Sequence, residues 1–182
     1  MQALVNIHNR LAGLADRAAP EVLPLLARFT FAATLLGYFW ASALTKVGPG
    51  IFGIFKPSLG AYAQIFPKAM EAVSYNVGDL SFFHWAVVFA GTVAEFILPL
   101  LIVIGLFTRL ASLGMIGFVI VQSLTDLFGH GGIQHAETLG AWFDRIPDSL
   151  ILDQRLFWVV ILLIPVLKGA GSLSVDRLLK LK

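Results

Sequence analysis

The sequence predicts an all-α integral membrane protein: a four-helix bundle preceded by an amphipathic helix that lies at the membrane interface. Of the 182 residues, 58% are apolar and only 13% are charged, and the mean hydropathy is +0.84. A soluble domain is about half apolar and a quarter charged, so this chain has more apolar surface than one water-soluble core buries. In addition, four stretches approach the length of about 20 apolar residues that crosses the hydrocarbon as a helix.

The amphipathic helix is predicted before the first span. Apolar side chains fall on one face at helical spacing, with polar ones elsewhere, as expected of a helix lying on a membrane. The apolar positions are Leu4, Ile7, Leu11, Leu14 and Ala18. A loosely ordered tail is the alternative interpretation.

The four predicted spans occupy about residues 22–44, 83–106, 110–128 and 150–167. The first turns of the fourth span contain Asp153, Gln154 and Arg155, so we expect it to start at the interface, with Arg155 reaching back to the headgroups. Two loops on one side, 45–82 and 129–149, complete a single domain over residues 1–182. The first loop is apolar enough to cap the bundle or fold onto the bilayer, and Pro67 is suited to open a short helix there.

The basic residues predict the orientation. The tails and the short loop between spans two and three carry eight of the 13 Lys and Arg residues, and the two longer loops carry five. Short cationic segments stay inside, so both termini are predicted to be cytoplasmic. A basic inner face and an acidic outer face suit an anionic bilayer as partner and argue against nucleic acid.

A tight hairpin is predicted between spans two and three, in the sequence GLFTRL. Gly105 is suited to the left-handed conformation that ends a helix, and Thr108 to capping the next one. Arg109 lies where lipid headgroups are available, so we expect it to anchor the hairpin to them. The two spans are therefore antiparallel neighbours.

Glu95 is the one carboxylate in the second span, about 15 Å from the hairpin boundary. An ionised side chain there costs at least about 3 kcal/mol, so exposure to lipid is excluded. Arg28 is the first choice of partner, and Gln122, Thr92 and Tyr38 are candidates for the same polar layer. Two interpretations stay open: a buried bond that specifies helix packing, or a protonatable group beside a quinone or another ligand.

A second polar group lies at the outer end of the bundle and consists of Asp126, His130, His135 and His84. These side chains are the weak candidates for a metal site, but their spacing matches no established motif, so surface polar residues are the preferred interpretation. No cysteine is present and no histidine lies in mid-span, which excludes cysteine-ligated iron–sulfur clusters and bis-histidine haem in the bilayer. Electrons, if any, would enter through a diffusible quinone or a partner's cofactor.

Three stretches, in this order, resemble the DoxX family of small four-helix bacterial membrane proteins. They are ARFTFAATLLGYFWASALTK, AEFILPLLIVIGLFTRLASLGMIGFVIV and GAGSLSVDRLL, and the resemblance covers about Leu25 to Leu179. Arg28, Lys46, Glu95 and Arg109 match polar positions of the family. The sequence departs from it in reading Gly-Ala-Gly-Ser where Gly-Pro-Gly-Arg is more typical, and in a longer first outer loop.

The resemblance implies a bacterial inner-membrane location and service to a membrane redox system, because the family takes its name from a subunit of a thiosulfate:quinone oxidoreductase. The chain would then be a quinone-interacting or partner-docking subunit that works with a redox partner and is not a self-sufficient enzyme. Whether it forms homo-oligomers is left open by the sequence. The alternative function is a non-catalytic assembly protein. A transporter is disfavoured because no row of embedded polar residues lines a path.

Overall fold

The structure, a computed structural model, describes residues 1–181 and is all-helical over that range. Four of its helices are long and apolar enough to span a membrane. In chain order, the helices longer than three residues are α1 (Gln2–Lys46), α2 (Leu59–Ile65), α3 (Pro67–Ala72), α4 (Phe82–Ile104), α5 (Thr108–Gly129), α6 (Ala136–Leu139), α7 (Leu150–Lys168) and α8 (Val175–Leu178). The long ones are α1, α4, α5 and α7.

The four long helices pack in a ring, in the order α1, α4, α5, α7 and back to α1. Phe31, Phe39, Met115 and Leu162 are almost fully buried where they meet. Aromatic side chains from α1, α5 and α7 surround Phe39, which makes edge-to-face contacts with Phe118 and Trp158 at centroid separations of 6.0 and 5.9 Å. The spans therefore share one apolar core.

The predicted surface helix and the predicted first span form one continuous helix, α1. The prediction of two separate helices is therefore wrong. Pro20 and Pro24 lie inside α1 but do not end it, because the flanking Ala and Leu residues are strong helix formers. No residue before Pro24 is buried, and the turns before Pro20 extend beyond the bundle. The alternative of a loosely ordered tail is wrong for these residues, whereas contact of this segment with a membrane stays a prediction.

The long helices contain three wide π-helical turns, at Ala32–Leu36, Thr125–Gly129 and Leu150–Gln154. Each such turn inserts an extra residue and rotates the side chains that follow it, and π turns are frequent at functional sites. The first ends two residues before Tyr38, and the second contains Asp126.

The end of the bundle that carries α2, α3 and α6 is called the loop end. The first loop caps the bundle there, where Ala61, Tyr62 and Met70 are buried against Val88 of α4. Pro67 is the first residue of α3, as the sequence predicted.

The opposite end, with the α4–α5 turn and the C-terminal segment, is called the hairpin end. Gly105 ends α4 with φ +72°, and the N–H groups of Gly105 and Leu106 both donate to Leu101 O at 2.9 Å, which confirms the predicted glycine stop. The predicted cap at Thr108 is wrong. Thr108 is already helical, and the Asp176 carboxylate accepts from Phe107 N at 2.7 Å and from Thr108 N at 2.9 Å.

Arg109 contacts the neighbouring helix α7, and its predicted role as a headgroup anchor stays a prediction. One nitrogen of its guanidinium, Nη1, donates to the carbonyls of Val166 and Leu167 in the last turn of α7. Those carbonyls have no helical partner of their own, so the arginine satisfies them and joins α5 to α7.

Candidate functional site

The ion pair at the centre of the candidate site joins Lys46, the last residue of α1, to Glu95 of α4. Lys46 Nζ lies 3.0 Å from Glu95 Oε1 and 2.9 Å from Oε2, and the side chains are 6% and 4% exposed. Ser42 completes the group: its hydroxyl accepts from Lys46 Nζ at 2.6 Å and donates to Glu95 Oε1 at 3.0 Å. The predicted burial of Glu95 among the helices is therefore confirmed.

The predicted Glu95–Arg28 pair is wrong, because Arg28 lies too close to the hairpin end. Its guanidinium donates to Ile102 O at 2.9 Å and Val103 O at 2.6 Å, which are about 10 Å or more from Glu95 along α4. The same guanidinium donates to Ala170 O and Leu173 O at 2.8 and 2.7 Å. Arg28 therefore ties the last carbonyls of α4 to the C-terminal segment.

Lys46 reaches Glu95 because of the direction of helical side chains. In a helix the Cα–Cβ bonds tilt toward the N-terminus, so the last residue of a helix extends back over the preceding turn. Lys46 accordingly covers Ser42, four residues earlier. Sequence reasoning placed Lys46 in the loop after the span and missed this pairing, although the residue had been matched to a family position.

A cavity of about 560 Å³ adjoins the ion pair, between α1, α4 and α5. Its walls are faces of these three helices at spacings of three and four residues, and small side chains create the space. The small lining residues are Ala90, Gly91 and Ala94 on α4 and Gly114 and Gly117 on α5. Gly114, Gly117 and Val121 are exposed, so the cavity opens sideways through the outer surface of the bundle.

Tyr38 and Gln122 form a second polar group on the cavity wall. Gln122 Nε2 donates to the Tyr38 hydroxyl at 2.8 Å. The other amide atom, Gln122 Oε1, is buried and has no hydrogen-bond partner among the described residues. Because an unpaired buried acceptor is unfavourable, this atom is suited to a ligand group that donates a hydrogen bond.

Thr92, the remaining predicted member of the polar layer, does not join it. Its hydroxyl donates to Val88 O at 2.8 Å, one turn back in α4, and it does not line the cavity. Of the five residues predicted for the polar layer, the cavity therefore brings together Glu95, Gln122 and Tyr38, while Arg28 and Thr92 lie elsewhere.

The predicted polar residues of the loop end are dispersed. The Asp126 carboxylate pairs with buried Arg155, whereas His130 Nε2 donates to Gln64 O at 2.9 Å. His84 Nδ1 lies 2.9 Å from Ser81 Oγ, and exposed His135 lies 3.7 Å from Glu137. Within residues 1–181, no three His, Asp or Glu side chains gather as a metal site requires. Asp126, His130 and Gln64 instead line the loop-end mouth of the cavity.

The cavity can therefore hold a molecule that has an apolar body and a polar head. Most of its wall is apolar, and hydrogen-bonding groups occur at Lys46–Glu95 and at Tyr38–Gln122, as in typical small-molecule sites. Glu95 supplies the carboxylate of the first of these groups.

No family model, no curated protein and no solved structure matches this chain. The resemblance to the DoxX family accordingly stays a prediction, and the function is inferred from the cavity itself.

Proposed function

We propose that the chain is a DoxX-like protein of the bacterial inner membrane that binds a quinone-like ligand in the cavity beside Glu95. It would serve a membrane redox system as a ligand-binding subunit, with electrons supplied by a partner and not by this chain alone. The observation that carries the proposal is the sideways opening of a largely apolar cavity with a buried carboxylate on its wall. A lipid-soluble molecule can enter such a cavity from the hydrocarbon layer.

The residues suggest how the ligand is held. A flat ring fits against the Gly and Ala faces of α4 and α5, where no larger side chain occupies the space. Gln122 Oε1 accepts a hydrogen bond from a ligand hydroxyl, and the Lys46–Glu95 pair supplies another polar group on the cavity wall. The orientation follows from the basic residues: the hairpin end faces the cytoplasm, and α2 and α3 face the outer side.

The proposal is tested by titrating a short-chain ubiquinol analogue into the purified protein in neutral detergent and measuring its Kd. We expect saturable binding and a Kd about tenfold higher for Gln122→Leu, because one hydrogen bond to the ligand is lost. Gln134→Leu is the matched control, since Gln134 is exposed in the loop after α5 and does not line the cavity. Absence of saturable binding to the unsubstituted protein would reject the proposal.

A second function is favoured by one observation. Lys46, Ser42 and Glu95 satisfy one another in a closed network, which is the arrangement expected if the acid only specifies how α1 meets α4. The chain would then be an assembly or scaffold protein. On this hypothesis Glu95→Gln lowers the yield of folded protein, and the purified chain binds no quinol.

A further inference from the structure

The hairpin end contains a second cavity, separate from the one beside Glu95, with a volume of about 700 Å³. Its walls are formed by the start of α5, the end of α7, the C-terminal segment around α8, and Pro20 and Glu21 of α1. Arg109, Lys168, Arg177 and Lys180 all line it, although they come from three different parts of the chain. The fold therefore places four basic side chains around one cavity.

The acids of this cavity neutralise only part of that charge. Asp176 accepts hydrogen bonds from the first turn of α5, and Glu21 pairs with Arg177 at 3.2 Å. Lys168 and Lys180 are exposed, and no carboxylate of the described residues lies within 4.0 Å of either ammonium group. These two ammonium groups are available for an anion.

Part of the Arg109 guanidinium is available to bind an anion. Its Nη1 is engaged by the carbonyls of α7, whereas Nε and Nη2 lie over Gly169, where a Cβ atom would be 3.7 and 3.5 Å from them. Both nitrogens keep their N–H groups for an acceptor, since neither has a hydrogen-bond partner among the described residues. The guanidinium is thus fixed at the edge of the cavity with donors to spare.

The rim of the cavity is apolar. Phe107 is 52% exposed, Leu110 70% and Leu181 41%. The cavity lies at the ends of two apolar spanning helices, which is the depth at which the headgroups of a bilayer begin. Cations beside exposed apolar side chains at that depth match a lipid that has an anionic headgroup and acyl chains.

We propose that this cavity binds the phosphate of an anionic phospholipid, with Lys168, Lys180 and Arg109 contacting the headgroup and the acyl chains lying along Phe107 and Leu110. The site does not depend on the quinone proposal, because it shares no residue with the cavity beside Glu95. A bound lipid would join α5, α7 and the C-terminal segment at the hairpin end.

The test uses the full chain, delipidated in neutral detergent, with short-chain phosphatidylglycerol as the probe and native mass spectrometry as the readout. We expect phosphatidylglycerol to bind more tightly than phosphatidylcholine of the same chain length. The variant Lys168→Gln/Lys180→Gln should raise the Kd for phosphatidylglycerol about tenfold or more, as expected for two basic contacts at a membrane surface. Raising the salt concentration should weaken binding in the unsubstituted protein.

The matched control is Lys56→Gln/Lys68→Gln, which removes two exposed lysines at the loop end and should leave the Kd unchanged. Lys168→Arg/Lys180→Arg should restore binding, which separates lost charge from lost folding. Equal affinity for the two lipids, an unchanged Kd in the glutamine variant, or full competition by equimolar inorganic phosphate would overturn the proposal. The last result would show a soluble-anion site instead.

Discussion

Replacing Lys46 with Met leaves the Glu95 carboxylate buried without its counter-ion, and this substitution gives the sharpest test of the site. The two ammonium–carboxylate distances of 2.9 and 3.0 Å correspond to an attraction of about 5 kcal/mol at an effective dielectric constant of about 20. Breaking a buried pair by removing one partner costs about 3–5 kcal/mol, because the remaining charge is uncompensated. We expect Lys46→Met and Glu95→Gln each to destabilise the protein within that range.

The double variant Lys46→Met/Glu95→Gln should lose less stability than the sum of the two single losses, since no charge then remains buried and Ser42 can still donate to the amide oxygen. The expected coupling free energy is about 2–3 kcal/mol. The same cycle with Arg28→Met in place of Lys46→Met is the control, with a coupling below about 0.5 kcal/mol, because Arg28 contacts main-chain carbonyls and not Glu95.

The assay is the free energy of unfolding in mixed micelles, obtained from titration with a denaturing detergent and followed by tryptophan fluorescence. The chain contains four tryptophans, so no label is needed. Additive effects of Lys46→Met and Glu95→Gln would refute the ion pair as a stabilising contact. A large coupling with Arg28 would favour the pairing that the sequence suggested.

Three further predictions concern the hairpin end and use the same unfolding assay. Gly105→Ala should cost about 2–3 kcal/mol, since the residue has φ +72° and a Cβ atom would lie 2.8 Å from Arg28. The control Gly37→Ala, in open space on α1, should be neutral or stabilising by up to about 1 kcal/mol. Equal effects of the two substitutions would contradict this reasoning. Asp176→Ala should lower the free energy of unfolding by about 1–2 kcal/mol, because the first turn of α5 loses its cap. A loss of stability no larger than that of Thr108→Ser would argue against capping by Asp176. Arg28→Lys should cost about 2 kcal/mol or more, since a lysine has three donors for the four carbonyls that Arg28 contacts. Full stability of this variant would show that a positive charge alone is enough to hold these carbonyls together.

The architecture followed from the sequence because it depends on local properties of the chain. A run of about 20 apolar residues must form a helix in lipid, where no water satisfies the backbone, and a tight Gly-containing turn makes its flanking helices antiparallel. The predicted spans at 83–106, 110–128 and 150–167 therefore agree closely with Phe82–Ile104, Thr108–Gly129 and Leu150–Lys168. The burial of Glu95 followed in the same way, from the cost of a charge in hydrocarbon.

The partners of the buried charges were decided by the tertiary structure. Estimating depth by counting residues along each span gives positions to within a few ångströms at best, whereas a hydrogen bond requires about 3 Å between atoms. Helix tilt, the three π turns and the length of a lysine or arginine side chain together shift a charged group by more than the tolerance of a hydrogen bond. Hence the sequence determined that Glu95 is buried, but only the packing of α1 against α4 decided that Lys46, and not Arg28, is its partner.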